Sequence, residues 1–323
     1  MFPIAMAVVE TESYASWSWF LLLLIEDLEL RDGYGITLIS DQQKGLDKAV
    51  KEFLPHVEHR NCTRHIYSNL KKKYGSESVK TAFWMAATAT HPEAFRTAMK
   101  DIQRISKGAA EKLMEFEPKV WSKAYFETHS KSDSTENNIS ECFNAWILKS
   151  RYMPIIDMLT DIHDLLMERL HKKRDAMLTK DCIVVPRIKK VLDEAVKESN
   201  ECSVLWDGKE NFQVKWRGIG YCVNLREGTC SCRVWELSGI PCSHAICAIH
   251  KMRKNPVDYV SHWFKKDTYM KTYSHCLEVL RGEPFWEDTL GDEILPPPIV
   301  KQLRGRPKRQ RRREGGGREE GGK

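Results

Sequence analysis

The spacing of apolar positions changes along this chain, and each change marks a different kind of element. Residues 3–9 (Pro-Ile-Ala-Met-Ala-Val-Val) are an unbroken apolar run closed by Glu10, which predicts a buried strand. Residues 13–30 carry apolar side chains at helical spacing. Residues 35–41 (Gly-Ile-Thr-Leu-Ile-Ser-Asp) predict a second buried strand, residues 42–54 a helix and residues 57–66 a third strand. Strands and helices alternating in this way predict an α/β layer with a parallel or mixed sheet. From 79 to 170 strand signals vanish, and stripes such as Ile155, Leu159, Ile162, Leu166 and Leu170 predict a helical block. Residues 172–203 predict a charged helical connector. Phe212, Val214 and Trp216, then Tyr221, Val223 and Leu225, alternate about Gly218-Ile-Gly220, the pattern of a hairpin opening a small new domain. A short aromatic-rich helical segment is expected from Pro256 to about Leu280. Beyond Pro296-Pro-Pro298 an extended, disordered, glycine-ending tail is expected. No internal repeat is visible.

Composition adds bounds to this pattern. The 323 residues, 41% apolar and 30% charged with ten tryptophans, suit two globular domains plus tails and exclude bulk disorder. The longest apolar run, Trp19 to Ile25, is closed by Glu26 and Asp27, well short of the roughly 20 residues a membrane span needs, so it predicts a buried helix and no membrane partner. Glu10 and Glu12 break up any signal-peptide pattern, and the expected compartment is intracellular and reducing. There, ten cysteines are thiols and metal ligands rather than a disulfide framework. The net charge of +6 is local: Lys301, Arg304, Arg306, Lys308, Arg309, Arg311, Arg312 and Arg313 exceed it by themselves.

The strongest chemical signal is Cys230-Ser-Cys232 followed by Cys242-Ser-His244. Two closely spaced pairs of thiolate and imidazole donors are what tetrahedral Zn²⁺ takes in a closed structural site. The first pair belongs in the turn after the hairpin, Ser238-Gly-Ile-Pro241 returns the second pair, and a helix starts beside His244. Cys247 and His250 follow within two helical turns as rival ligands, with Cys247 expected to face the core. The arrangement resembles the SWIM zinc finger, whose Cys-x-Cys and Cys-x-His pairs all four positions match. Asp41 alone, an acid at the end of a strand and the start of a helix, reads as an N-cap.

In order along the chain, FPIAMAVVE, W-x-W-F-L, LISDQQKGL, HRNCTRH and NNISECFNAW resemble successive stretches of plant Mutator-like transposases, and the terminal zinc module follows suit. The resemblance implies a partial RNase H-like transposase domain with a helical insertion over 1–180, a helical connector over 181–209, a SWIM zinc finger over 210–254, a helical segment over 255–292 and the tail over 293–323. It implies a triad of two aspartates and a glutamate binding two Mg²⁺ or Mn²⁺ ions for in-line displacement at phosphorus. By position Asp41 matches the second aspartate and Glu141 the glutamate, with Asn144 one turn on and Glu136 as runner-up. The first aspartate has no counterpart, which implies an N-terminally truncated relative or an incomplete gene model with a vestigial site. Cys62-Thr-Arg-His65 is a family motif, expected here as a thiol and an imidazole packed near the strands rather than as a metal site.

In the tail, Arg304-Gly305-Arg306-Pro307-Lys308, with Arg309 after it, resembles the AT-hook core, which lies in the narrow minor groove of A·T-rich DNA. The basic run also suits nuclear import. The expected function is therefore a nuclear, DNA-associated, zinc-binding protein derived from a transposase, with a protein partner as another use of the SWIM module. The alternative is an active transposase whose first aspartate comes from an upstream region, with Mg²⁺ or Mn²⁺ only in that case.

Overall fold

Two parallel strands cannot be joined by a tight turn, and here a helix makes the crossover. In the computed structural model, which describes residues 2–286, β1 (Thr37–Ser40) and β2 (Glu58–Asn61) pair in parallel, Thr37 opposite Glu58 through Ser40 opposite Asn61. The crossover is α2 (Lys44–Phe53), and α1 (Tyr14–Asp27) lies against it. Leu21, Leu46, Ala49, Val50 and Leu54 close this small core. The chain is a mixed helix and sheet structure, as the alternation predicts.

Three details of the expected layer are corrected. Residues 3–9 form no strand and are mostly exposed, with Ile4 67% accessible, because a strand exists only through a partner and none of the described residues pairs with it. In α1 only Leu21 is buried, while Trp19, Leu22 and Leu23 are exposed, so the apolar run is not a buried helix. Strand β2 stops at Asn61, and from Thr63 the chain is helical.

The helical block follows as α3 (Thr63–Lys71), α4 (Glu77–Thr88), α5 (Pro92–Ile105) and α6 (Lys107–Met114). Side chains of Ser76, His91 and Ser106 accept from backbone N–H groups at the starts of α4, α5 and α6, so three successive boundaries are capped. The block closes on Phe83, Phe95, Ile102, Leu113 and Trp121, with the Phe83 and Trp121 rings stacked at 5.6 Å. Helix then gives way over residues 115–137 to two short 3₁₀ turns and an extended loop, a break that periodicity does not announce. That loop is held from β2: Arg60, fully buried, donates to the carbonyl oxygens of Ser132, Ser134 and Glu127 and pairs with Glu58 at 2.7 Å. Beyond it come α7 (Asn138–Trp146), α8 (Ile155–Leu178) and α9 (Pro186–Ser199).

A four-stranded antiparallel sheet follows in the order β3 (Ser203–Trp206), β4 (Asn211–Trp216), β5 (Ile219–Asn224), β6 (Thr229–Cys230). Arg217 and Gly218, both at positive φ (48° and 81°), form the two-residue turn between β4 and β5, the geometry that matches strand twist. Phe212, Val214 and Val223 face inward against α11 (Ser243–Lys251), and α10 (Val234–Ser238) bridges β6 to α11. The aromatic segment after Pro256 is less helical than expected: two 3₁₀ turns and then α12 (Lys266–Thr272). Contacts divide the chain into Met1–Glu278, which holds all of these elements, and Val279–Lys323, whose described part has one 3₁₀ turn, Glu283–Phe285. The tail from 293 and its AT-hook-like residues Arg304 to Arg309 lie outside the described residues. Among the described residues no helix is long and apolar enough to cross a membrane.

Candidate metal centre

Strand β6 ends at Cys230, and a tight turn follows in which Arg233 N–H donates to the Cys230 carbonyl at 2.7 Å. This turn brings Cys232 back beside Cys230. The second pair arrives on α11: Cys242 is its N-cap, with Sγ accepting from Ala245 N–H at 3.5 Å, and His244 stands in the first turn. A helix N-terminus favours a thiolate, so the cap also prepares the ligand. The four donor atoms of Cys230, Cys232, Cys242 and His244 lie within 4.8 Å of one another, and all four residues are buried.

Which imidazole nitrogen faces the thiols is set by the ring's orientation. Nδ1 of His244 lies 3.8 Å from both Cys230 Sγ and Cys242 Sγ. A tetrahedral zinc with Zn–S of about 2.3 Å and Zn–N of about 2.0 Å would separate S and N by about 3.5 Å. The donor set therefore fits Zn²⁺ in both chemistry and spacing. The ring is held by Tyr221, stacked on it at 3.8 Å, and by Trp216 edge-on at 5.6 Å. Its Nε2 is buried without a hydrogen-bond partner among the described residues. Hydrogen bonds from Cys230 and Cys242 hold the Cys232 thiol well below its ordinary range, and donating to Cys232 pushes Cys230 well above it. Cys242 is raised by its bonds to Cys230 and Cys232 and by burial.

The rival ligands stand apart from this cluster. Cys247 is half-buried with its Sγ against the Cys202 carbonyl at 3.7 Å, packed on the module's core, and burial raises its thiol above the ordinary range. His250 is exposed on the last turn of α11.

The other candidate residues are brought near one another only in part. Asp41 follows β1 directly, but the N-cap of α2 is Gln43, so Asp41 does not cap that helix. Glu141 lies in the first turn of α7, and Arg64 reaches both it, at 3.3 Å, and Glu136, at 3.4 Å. Asn144 is exposed one turn on. Among the described residues neither Asp41 nor Glu141 belongs to a group of three or more His, Cys, Asp or Glu that could hold a metal. Cys62 is fully buried and its Sγ accepts from Asn137 N–H at 3.3 Å, while the N–H and hydroxyl of Thr63 both donate to the Thr135 carbonyl. His65 Nδ1 is buried without a hydrogen-bond partner among the described residues. The Cys-Thr-Arg-His motif thus fastens the start of α7 to the end of β2. Arg64 lies inside the Cys62 to His65 motif and Arg233 directly after Cys232, and that placement is the only sequence signal of their contacts.

The family model of the MULE transposase domain matches residues 1–69, which include β1, α2, β2, Asp41 and the Cys62 and His65 motif. That of the SWIM zinc finger matches residues 221–252, which include the whole thiol and imidazole cluster. No curated protein and no solved structure matches the chain.

Proposed function

Because the chain belongs to the Mutator-like transposase family and carries a SWIM zinc finger, we propose that it works as a nuclear, DNA-associated zinc protein. In this reading Cys230, Cys232, Cys242 and His244 hold one structural Zn²⁺. The observation that carries it is the convergence of four buried soft donors at the spacing of a closed tetrahedral site. Such zinc contributes folding energy directly, since the unfolded chain offers no preformed site. The test is metal analysis of the purified chain and of its Cys232→Ser variant. One zinc per chain, lost in the variant together with the fold of residues 212–254, is the expected result. No zinc in the parent, or full retention in the variant, would sink the reading.

DNA association is supported by the transposase relationship and by the basic tail of the sequence, whose Arg304-Gly305-Arg306-Pro307 suits A·T-rich minor grooves. The parallel β1 and β2 with Asp41 at a strand end support an RNase H-like layer. In this reading the chain by itself does not cut or join DNA. Among the described residues Asp41 and Glu141 join no cluster of metal ligands, and Glu141 is paired with Arg64, an arrangement poorly suited to holding two Mg²⁺ against water. A second reading, an active transposase, is favoured by Glu136 and Glu141 standing together under one arginine. Incubation of the chain with labelled terminal-repeat DNA and Mn²⁺ separates the two: cleavage lost on Asp41→Ala would establish the enzyme.

A further inference from the structure

The side chain that follows Cys232 leaves the zinc module altogether. Arg233 takes a left-handed backbone conformation (φ 61°) unusual for a residue with a Cβ, and the turn that imposes it is the one bringing Cys230 and Cys232 together. Its guanidinium donates to three backbone carbonyls of the helical block: Thr90 at 3.1 Å, Phe126 at 2.7 Å, and Ala124. Among the described residues it makes no ion pair, so carbonyl dipoles rather than a carboxylate hold it. Two more contacts join the same surfaces. Lys131 Nζ donates to the Glu236 carbonyl at 3.3 Å. Gly239, at φ 71°, leaves so little room that an added Cβ would stand 3.0 Å from the Lys131 Cβ.

The loop gripped in this way is the one Arg60 holds from β2. Phe126 carries the Arg60 guanidinium over its ring at 3.9 Å, and Arg60 bonds the carbonyls of Glu127, Ser132 and Ser134. Two arginines, one from the transposase-type sheet and one from the zinc turn, therefore clamp a single loop. That loop runs straight into Glu136 and the start of α7.

We propose that the zinc turn is a latch: metal at Cys230 and Cys232 fixes the backbone that aims Arg233, so zinc occupancy sets the docking of the module on the helical block and the order of the loop entering α7. The latch rests on the reading that this module holds zinc. A turn released from its metal has two fewer anchors, and the left-handed conformation at Arg233 is then disfavoured. Coupling between two sites is reciprocal: if zinc favours docking, docking favours zinc by the same factor.

The experiment uses the full chain. Zinc content is measured first, and a chain without zinc removes the functional reading and the latch together. With zinc bound, hydrogen exchange of residues 122–137 is followed before and after chelation, and zinc affinity is measured by competition with a chromogenic chelator. Chelation should speed exchange in 122–137, not only in 212–254. Arg233→Ala should still bind one zinc, with affinity lower by roughly 5- to 100-fold, and should show the fast exchange even when loaded. If Arg233→Ala does not fold, Arg233→Lys and Lys131→Ala serve. Lysine cannot span three carbonyls with its compact ammonium, and Lys131 lies far from the ligands in sequence. Each should weaken zinc binding measurably. Parental zinc affinity in these variants, or exchange in 122–137 that ignores chelation, overturns the latch while leaving the zinc site standing.

Discussion

At the scale of single residues, two buried groups carry more than their positions suggest. Arg60 is fully buried with its carboxylate partner Glu58 only 8% exposed, and three carbonyls complete its hydrogen bonding. Removing one member of such a pair strands the other without water. Arg60→Ala should therefore cost about 3–5 kcal/mol of stability in denaturant titration. His59 is the second group. Its Nε2 lies 2.7 Å from the Ser40 hydroxyl and its Nδ1 3.7 Å from Asp47, beside the strand end that carries Asp41. Burial lowers its imidazole below the ordinary range, Asp47 opposes this, and Lys51 adds to it. The folded state thus binds a proton at His59 less readily than the unfolded state. Its contribution is intact above the unfolded value of about 6.5 and is lost as the pH falls through the lower folded value. His59→Gln should flatten that acid-side decline in thermal melts; an unchanged slope would assign it to other groups.

At the scale of elements, burial separates anchors from surface within one helix. Leu21 is 2% exposed and Leu22 49%, although they are neighbours in the same apolar run of α1. Leu21→Ala should cost about 2–5 kcal/mol and Leu22→Ala within about 0.5 kcal/mol, a difference that chemical denaturation resolves. The hairpin offers a second comparison. Gly218 holds a positive φ with nothing within 4 Å of a would-be Cβ, so Gly218→Ala meets backbone strain but no clash. Gly239→Ala meets both, because Ser261 and Lys131 stand within 3.0 Å. The second substitution should be the more damaging, read as the larger loss of zinc-loaded melting temperature.

At the scale of the whole molecule, charge and metal act in separate segments, the ligands at 230–244 and the run of cations at 301–313. Eight cations between 301 and 313 exceed the net charge of +6, so the remainder is slightly negative and the tail is expected to supply most of the DNA affinity. Deleting residues 301–323 should lower binding to A·T-rich duplex and reduce the slope of log affinity against log salt by roughly one unit for each phosphate the tail neutralises. Affinity that survives the deletion would move the interface elsewhere in the chain.

The sequence by itself determined whatever is local. Ligand pairs one residue apart, the alternation of β4 and β5 about their turn, the helical stripes and the order β1, α2, β2 all follow from spacing, because neighbours in sequence are neighbours in those structures. Tertiary structure decided the rest. Residues 3–9 have strand composition but meet no strand among the described residues, and no periodicity encodes a partner's absence. The loop at 126–137 looks featureless until Arg60 and Arg233, more than a hundred residues apart, close on it. Backbone carbonyls are the same in every sequence, so which ones an arginine will find is settled only when the fold brings them together.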